Sequence, residues 1–166
     1  MRVVYGGSSV GLMGELADAA LLAGGEVVGV IPQLLVDKEI AHMGLTELHV
    51  VGTMHERKAR MAELADGFVT LPGGYGTLDE LAEVLTASQL GLHLAPCGLL
   101  DVGGYFCPLL EFFDLAVEAG FLNAEHRDLV VVDSEPDRLL DEMTRWRRPN
   151  LSRKWDPRPT DGHVKA

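Results

Sequence analysis

Residues 71–80 read LPGGYGTLDE, with three glycines in four positions, a proline before them and two carboxylates after. The spacing predicts a strand ending at Leu71 and a helix starting at Thr77. Gly73, Gly74, Tyr75 and Gly76 would then join the carboxyl end of a strand to the amino end of a helix, where open α/β sheets take ligands. Glycine accepts positive φ and leaves backbone N–H groups uncovered. The first turn of a helix adds unpaired N–H groups and a partial positive charge. The combination suits an anion, most naturally a phosphate. A tight turn needs one or two glycines, and three with a proline exceed what packing requires. Thr77 and Glu80 also make a T-x-x-E capping box. Glu80 is therefore either a cap reaching back to the Thr77 N–H or a catalytic carboxylate beside a bound phosphate ester. The pattern alone leaves both open.

A second stretch, TMHERKARM at 53–61, opens with another capping box, Thr53 and Glu56. Arg57 and Lys58 are adjacent and point about 100° apart on a helix. A fixed arginine beside a lysine suits a phosphate or carboxylate, each charge-assisted bond contributing about 1.5–3 kcal/mol. The alternative is a solvated helix face. A third stretch, YGGSSVGLMG at 5–14, has the shape of a strand, a glycine loop and a helix. Its glycines at 7, 11 and 14 do not follow G-x-G-x-x-G, and the next strand closes with Ile31-Pro32 rather than an acid. The dinucleotide fingerprint fails on both counts. Ser8 and Ser9 could donate to a phosphate, or the glycines could serve only close helix packing. The six histidines show no metal-ligand spacing, and no G-x-S-x-G or Walker motif occurs. No metal and no cofactor are expected.

The elements that must position these residues alternate. Strands are expected at 3–5, 26–31, 48–51, 68–71, 97–100 and 129–132. Helices are expected near 14–23, 54–65, 78–90, 108–119 and 136–146. Strands that are apolar throughout and alternate with helices indicate a parallel sheet covered on both faces. The expected fold is α/β, a Rossmann-like doubly wound parallel sheet. Leu78, Leu81, Ala82 and Leu85 form one core stripe, and Met54, Met61, Leu64 and Ala65 another. Residues 1–147 are read as one nucleotide-binding domain. Residues 148–166, with prolines and mixed charges, are read as a disordered tail.

Composition narrows the partners. The 166-residue chain carries 14 basic and 25 acidic residues, a net charge of −11. So acidic a surface argues against nucleic acid and anionic membranes. A small anionic ligand would need a local cationic site, which the cluster at 56–60 could supply. No run approaches the roughly 18 apolar residues of a membrane span, and residues 1–9 lack a signal-peptide core. Cys97 and Cys107 make neither a disulfide framework nor a metal spacing, so a reducing cytoplasm is the expected location.

MHERK at 54–58 with PGGYGTLDE at 72–80 resembles the LONELY GUY (LOG) family, cytokinin riboside 5′-monophosphate phosphoribohydrolases also labelled lysine decarboxylases. The family signature PGGxGTxxE is matched at every fixed position, as is the preceding M-x-x-R-K. VYGGSSVGLMG and GGEVVGVIP look like the family's upstream segments, so the resemblance runs from about residue 3 to 145. It implies a Rossmann-like homodimer that hydrolyses the N-glycosidic bond of AMP or an N6-substituted AMP to a free base and ribose 5-phosphate. By motif, Arg57 and Glu80 would be catalytic. Lys58, Gly73, Gly74, Tyr75, Gly76, Thr77, Leu78 and Asp79 would hold the substrate, with Glu39 and Thr86 as further contacts. Breaking a ribosyl–base bond builds positive charge on the sugar, as in glycoside hydrolysis. A carboxylate near the ribose can stabilise that charge or activate water, help typically worth ~10²–10⁴ in rate. Arg57 would either bind the phosphate or stabilise the departing base. A decarboxylase would instead need a lysine Schiff base with pyridoxal phosphate, and Lys58, next to an arginine in a phosphate-binding context, suits that poorly. The other function class kept open is a non-catalytic nucleotide-phosphate-binding module, a carrier or sensor. Set against the family pattern, the fold is expected to lack the family's first βα unit ahead of VYGG. The helices near 78–90 and 108–119 would supply a subunit interface.

Overall fold

The computed structural model describes residues 1–38, 40–149 and 151. The chain divides into two compact units, Met1–Ala65 and Asp66–Ala166. The first unit runs β1 (Arg2–Tyr5), α1 (Gly11–Leu22), β2 (Glu26–Pro32), α2 (Gln33–Val36), β3 (Glu47–Val51) and α3 (Met54–Leu64). Its three strands pair in parallel in the order β1-β2-β3. The register sets Val3 beside Val27 and Ile31 beside Val50. The central strand β2 is buried from Val27 to Pro32, as an apolar run of β-branched residues between two neighbours should be. Because strand side chains alternate, Val3, Tyr5 and Val27 share one face. There they pack with Ala17, Ala20 and Leu21 of α1. Helix α1 ends at the expected glycines: Gly24 takes φ +76°, and the N–H groups of Gly24 and Gly25 bond back to Leu21 and Ala20.

The second unit runs β4 (Phe68–Thr70), α4 (Tyr75–Leu90), β5 (Cys97–Leu100), a 3₁₀ turn (Val102–Gly104), α5 (Cys107–Glu118), α6 (Ala124–Arg127), β6 (Val130–Asp133) and α7 (Pro136–Arg145). Its strands also pair in parallel, in the order β4-β5-β6. Here alternation along β5 explains the layering. Leu99 points to one face and packs with Leu81 and Leu85 of α4, Phe106, and Leu109 of α5. Leu100 points to the other and packs with Leu139 and Met143 of α7. The expected parallel α/β, Rossmann-like arrangement with both sheet faces covered is what forms. The hydrogen bonding runs within two three-stranded sheets, one per unit.

The short helices α2 and α6 had no expectation, whereas the glycine pair 103–104, read as a turn after the strand, forms the 3₁₀ turn. Four residues make barely one turn, too few to show a period. The expected core stripe of α3 is only partly used, since Met54 is exposed. On α4, Leu81 and Leu85 join the core while Leu78 and Ala82 are exposed. Most of the expected tail lies outside the described residues. Arg148, at its start, donates to the Ser88 carbonyl at 2.6 Å, a cation at the carboxyl end of α4 where the helix dipole favours one.

Leu139 is 1% exposed and α7 covers its sheet face through Leu139 and Met143. Leu139→Ala should lower stability by about 2–5 kcal/mol through lost contacts and a cavity. That is a fall in Tm of at least ~4 °C, read by thermal unfolding, whereas exposed Leu34→Ala should change stability by no more than ~0.5 kcal/mol.

Candidate functional site

In the first unit, Thr53 caps α3: its Oγ1 accepts from the Glu56 N–H at 3.1 Å. The Glu56 carboxylate returns one residue earlier than the usual box, accepting from the Gly52 N–H at 2.8 Å. That start sets the phase of the helix and turns Arg57 inward. Arg57 is 7% exposed, and its Nε donates to the Val30 carbonyl of β2 at 3.1 Å. The guanidinium lies against Gly6, where a Cβ would overlap Nη2. Gly6 is thus required by close approach, just after β1. The solvated-face reading fails for Arg57. It holds for Arg60, which pairs with Glu63 at 3.1 Å on the outside of the helix. Lys58 is half-buried.

The segment after β1 is zipped against residues 40–42 through Ser9 N–H to the Ile40 carbonyl and His42 N–H to the Gly7 carbonyl. The Ser9 hydroxyl donates to the same Ile40 carbonyl at 3.2 Å, and Ser8 Oγ accepts from the Val10 N–H at 3.1 Å. Tyr5 donates its hydroxyl to the Ser8 carbonyl at 3.2 Å. Burial, with Asp18 adding to it, pushes the Tyr5 pKa up to about 12, so that donor keeps its proton. The glycines of this stretch serve close packing, with Gly14 pressed against the Ser9 carbonyl. The Ser9 hydroxyl proton is used within the fold. Glu39 lies outside the described residues.

In the second unit, helix α4 begins two residues before the sequence predicts. Gly74 is its N-cap, with the Leu78 N–H bonded to the Gly74 carbonyl at 3.1 Å and no side-chain cap. Thr77 is therefore the third helical residue, and the T-x-x-E box does not form. Glycine is tolerated at an N-cap almost as well as threonine, so the helix can absorb Tyr75 and Gly76. The loop glycines do not work through positive φ, since neither Gly73, Gly74 nor Gly76 has it. Gly73 is needed because a Cβ there would strike Thr77 Oγ1. At Gly74 and Gly76 a Cβ would meet nothing within 4 Å, so the backbone of the first turn is bare on that side. Tyr75, Leu78, Asp79 and Thr86 are exposed, whereas Gly73, Thr77 and Glu80 are half-buried. Glu80 sits one turn after Thr77 on the same face. It is not the third residue of the helix, so the cap reading loses its geometry.

One contact to this loop has no counterpart in the expected set. Tyr105, just after the 3₁₀ turn, donates its hydroxyl to the Gly73 carbonyl at 2.8 Å. The signal was present as the glycine pair 103–104 at the carboxyl end of β5, the sheet edge that also carries the loop after β4. Nearby, the Asp101 carboxylate accepts from the Cys107 thiol and, with its charge, holds that thiol above its ordinary pKa. Cys97 is pushed up to about 12 by burial. Neither cysteine has the lowered pKa of an activated nucleophile. Among the described residues, no three His, Cys, Asp or Glu side chains gather in a set able to hold a metal ion.

Comparison with known proteins agrees with these motifs. A family model described as possible lysine decarboxylase matches residues 13–143. A cytokinin riboside 5′-monophosphate phosphoribohydrolase of Rhodococcoides fascians is 56% identical over 133 residues, 80% of this chain and 67% of that protein. A probable cytokinin riboside 5′-monophosphate phosphoribohydrolase of Oryza sativa subsp. japonica is 54% identical over 135 residues, 81% of this chain and 59% of its own length. An Arabidopsis thaliana enzyme of the same name is 46% identical over 150 residues, 90% of this chain and 66% of its own. The chain thus spans about three-fifths to two-thirds of the length of these relatives. A family match over most of the chain, joined to identity at this level, means that the chain belongs to the LONELY GUY (LOG) family.

Proposed function

We propose that the chain hydrolyses the N-glycosidic bond of a cytokinin riboside 5′-monophosphate or of AMP, releasing the free base and ribose 5-phosphate. One observation carries the reading: relatives 54–56% identical over four-fifths of the chain are named cytokinin riboside 5′-monophosphate phosphoribohydrolase and probable cytokinin riboside 5′-monophosphate phosphoribohydrolase. The local geometry supports it. The bare first turn of α4 offers N–H donors and the positive end of a helix dipole to a phosphate. Gly73, Gly74, Tyr75, Gly76, Thr77, Leu78 and Asp79 form the binding segment in this reading, with Lys58, Glu39 and Thr86 as further contacts. Glu80, placed beyond the first turn of α4, is the carboxylate that stabilises the developing sugar cation or activates water. Arg57 is the catalytic cation. Its anchored Nε fixes the guanidinium in one orientation, which is the preorganisation that electrostatic catalysis needs.

The reading includes a homodimer in the cytoplasm. Phe112 and Leu115, 60% and 57% exposed, lie one turn apart on α5. Leu92 and Leu94, after α4, are also exposed. Exposed apolar side chains of this kind suit a subunit interface. Both cysteines are free thiols, compatible with a reducing compartment.

Three outcomes test the proposal. Incubated with AMP and with isopentenyladenosine monophosphate, the protein should release base from at least one, followed by chromatography. No base from either, with native circular dichroism, overturns the reading. Glu80→Gln should lower kcat by ~10²–10⁴ while AMP affinity by calorimetry stays within about threefold; undiminished turnover would remove Glu80 from the chemistry. Light scattering should give twice the 18.0 kDa chain mass, with Phe112→Asp shifting it towards the monomer; a wild-type monomer rejects the interface.

A further inference from the structure

The turn after β5 is held more firmly than a chain reversal requires. Asp101, the first residue beyond the strand, donates its N–H to the Asp133 carbonyl at 2.9 Å. Its carboxylate accepts from the Phe106 N–H at 2.7 Å and from the Cys107 thiol at 3.5 Å. The loop closed in this way contains Gly103 and Gly104, at φ +63° and +75°, a conformation that glycine adopts without steric cost. Phe106 is 2% exposed and packed with Leu81 and Leu99, so the far end of the turn is rooted in the core. Tyr105 projects from this rigid base with its ring edge-on to Phe106, the centroids 5.0 Å apart.

Tyr105 is 54% exposed, so burial explains little of its presence. What it does contribute is one hydrogen bond across 32 residues of sequence, to the carbonyl of Gly73. That carbonyl belongs to the same planar peptide unit as the N–H of Gly74, the N-cap of α4. In a trans peptide the two point in opposite directions. Gripping the carbonyl therefore aims the N–H, and donation to the carbonyl polarises that N–H into a better donor. Gly73 and Gly74 would otherwise be among the freest peptide units in the chain.

We propose that Tyr105 is a positioning residue for the anion-binding loop, presetting the Gly73–Gly74 peptide so that the Gly74 N–H meets the phosphate of the substrate. The inference rests on the reading that this loop takes a nucleoside monophosphate by its phosphate. Asp101 acts one step further back, by fixing the turn that carries Tyr105.

The test compares wild type, Tyr105→Phe and Tyr105→p-aminophenylalanine, the last keeping a donor at the same place. Affinities for AMP, ribose 5-phosphate and adenosine are measured by calorimetry, and kcat and KM by adenine release from AMP. Tyr105→Phe should weaken AMP and ribose 5-phosphate by about 3–10-fold, the loss of roughly one net hydrogen bond. Adenosine affinity should not change. KM should rise in step while kcat stays within about twofold, because the contact is equal in ground and transition states. The p-amino variant should restore the phosphate ligands to within about twofold. If wild type releases adenine and Tyr105→Phe binds ribose 5-phosphate as tightly as wild type, the positioning role is overturned and the hydrolase reading stands. A lowered Tm with unchanged affinities, or equal weakening of adenosine, also overturns it. If wild type binds AMP and releases base from neither AMP nor isopentenyladenosine monophosphate, yet loses affinity in Tyr105→Phe, the positioning role stands and hydrolysis falls.

Discussion

Burying a guanidinium costs several kcal/mol unless its N–H groups are satisfied, and the first unit is arranged around meeting that cost for Arg57. The Nε–H is given to a carbonyl of the central strand β2. The face of the group is met by a residue without a side chain, Gly6. The helix that carries it is started at a fixed phase by the Thr53 cap. Of these only the Thr53 cap is local in sequence. Their meaning comes from the same buried cation, and a shift of α3 by one residue would turn Arg57 about 100° towards solvent. Immobilisation is what separates such an arginine from the surface pair Arg60–Glu63 on the same helix. Exposed pairs of that kind contribute little.

The second unit solves a different problem, that of holding flexible backbone still. A loop of glycines has much conformational entropy to lose, and leaving it loose would charge that loss to ligand binding. Here the loop is held from two sides. Thr77 Oγ1 fills the space where Gly73 lacks a side chain, and the Tyr105 hydroxyl holds the Gly73 carbonyl. The glycines thereby keep their bare backbone while losing much of their freedom. The same economy appears at the sheet, where alternate residues of β5 and β6 face helices α4 and α5 on one side and α7 on the other.

The order and type of the strands and longer helices were legible in the sequence, because apolar runs of β-branched residues and 3.6-residue stripes each carry a strong period. Strand β5 was expected at 97–100 and lies there, and α7 ends within one residue of its expected end. The motifs were legible too: the fixed positions of PGGxGTxxE and M-x-x-R-K identify the family without coordinates. The start of α4 was misplaced because a T-x-x-E pattern scores as a cap wherever it occurs. Whether the helix begins there depends on Gly74, which also caps and lies earlier.

By itself, then, the sequence determined the α/β class, the succession of elements, the family and the residues with chemical potential, since all of these are written in local periodicity and contiguous motifs. Only the tertiary structure decided which charges are buried and which hydroxyls are spent. Arg57 and Arg60 sit three residues apart on one helix and are alike as residue types. One meets the carbonyl of a strand 27 residues away and the other meets solvent. Tyr105 reaches Gly73 across 32 residues. Such contacts join segments brought close by sheet pairing and helix packing, and no pattern within a short window of sequence encodes them.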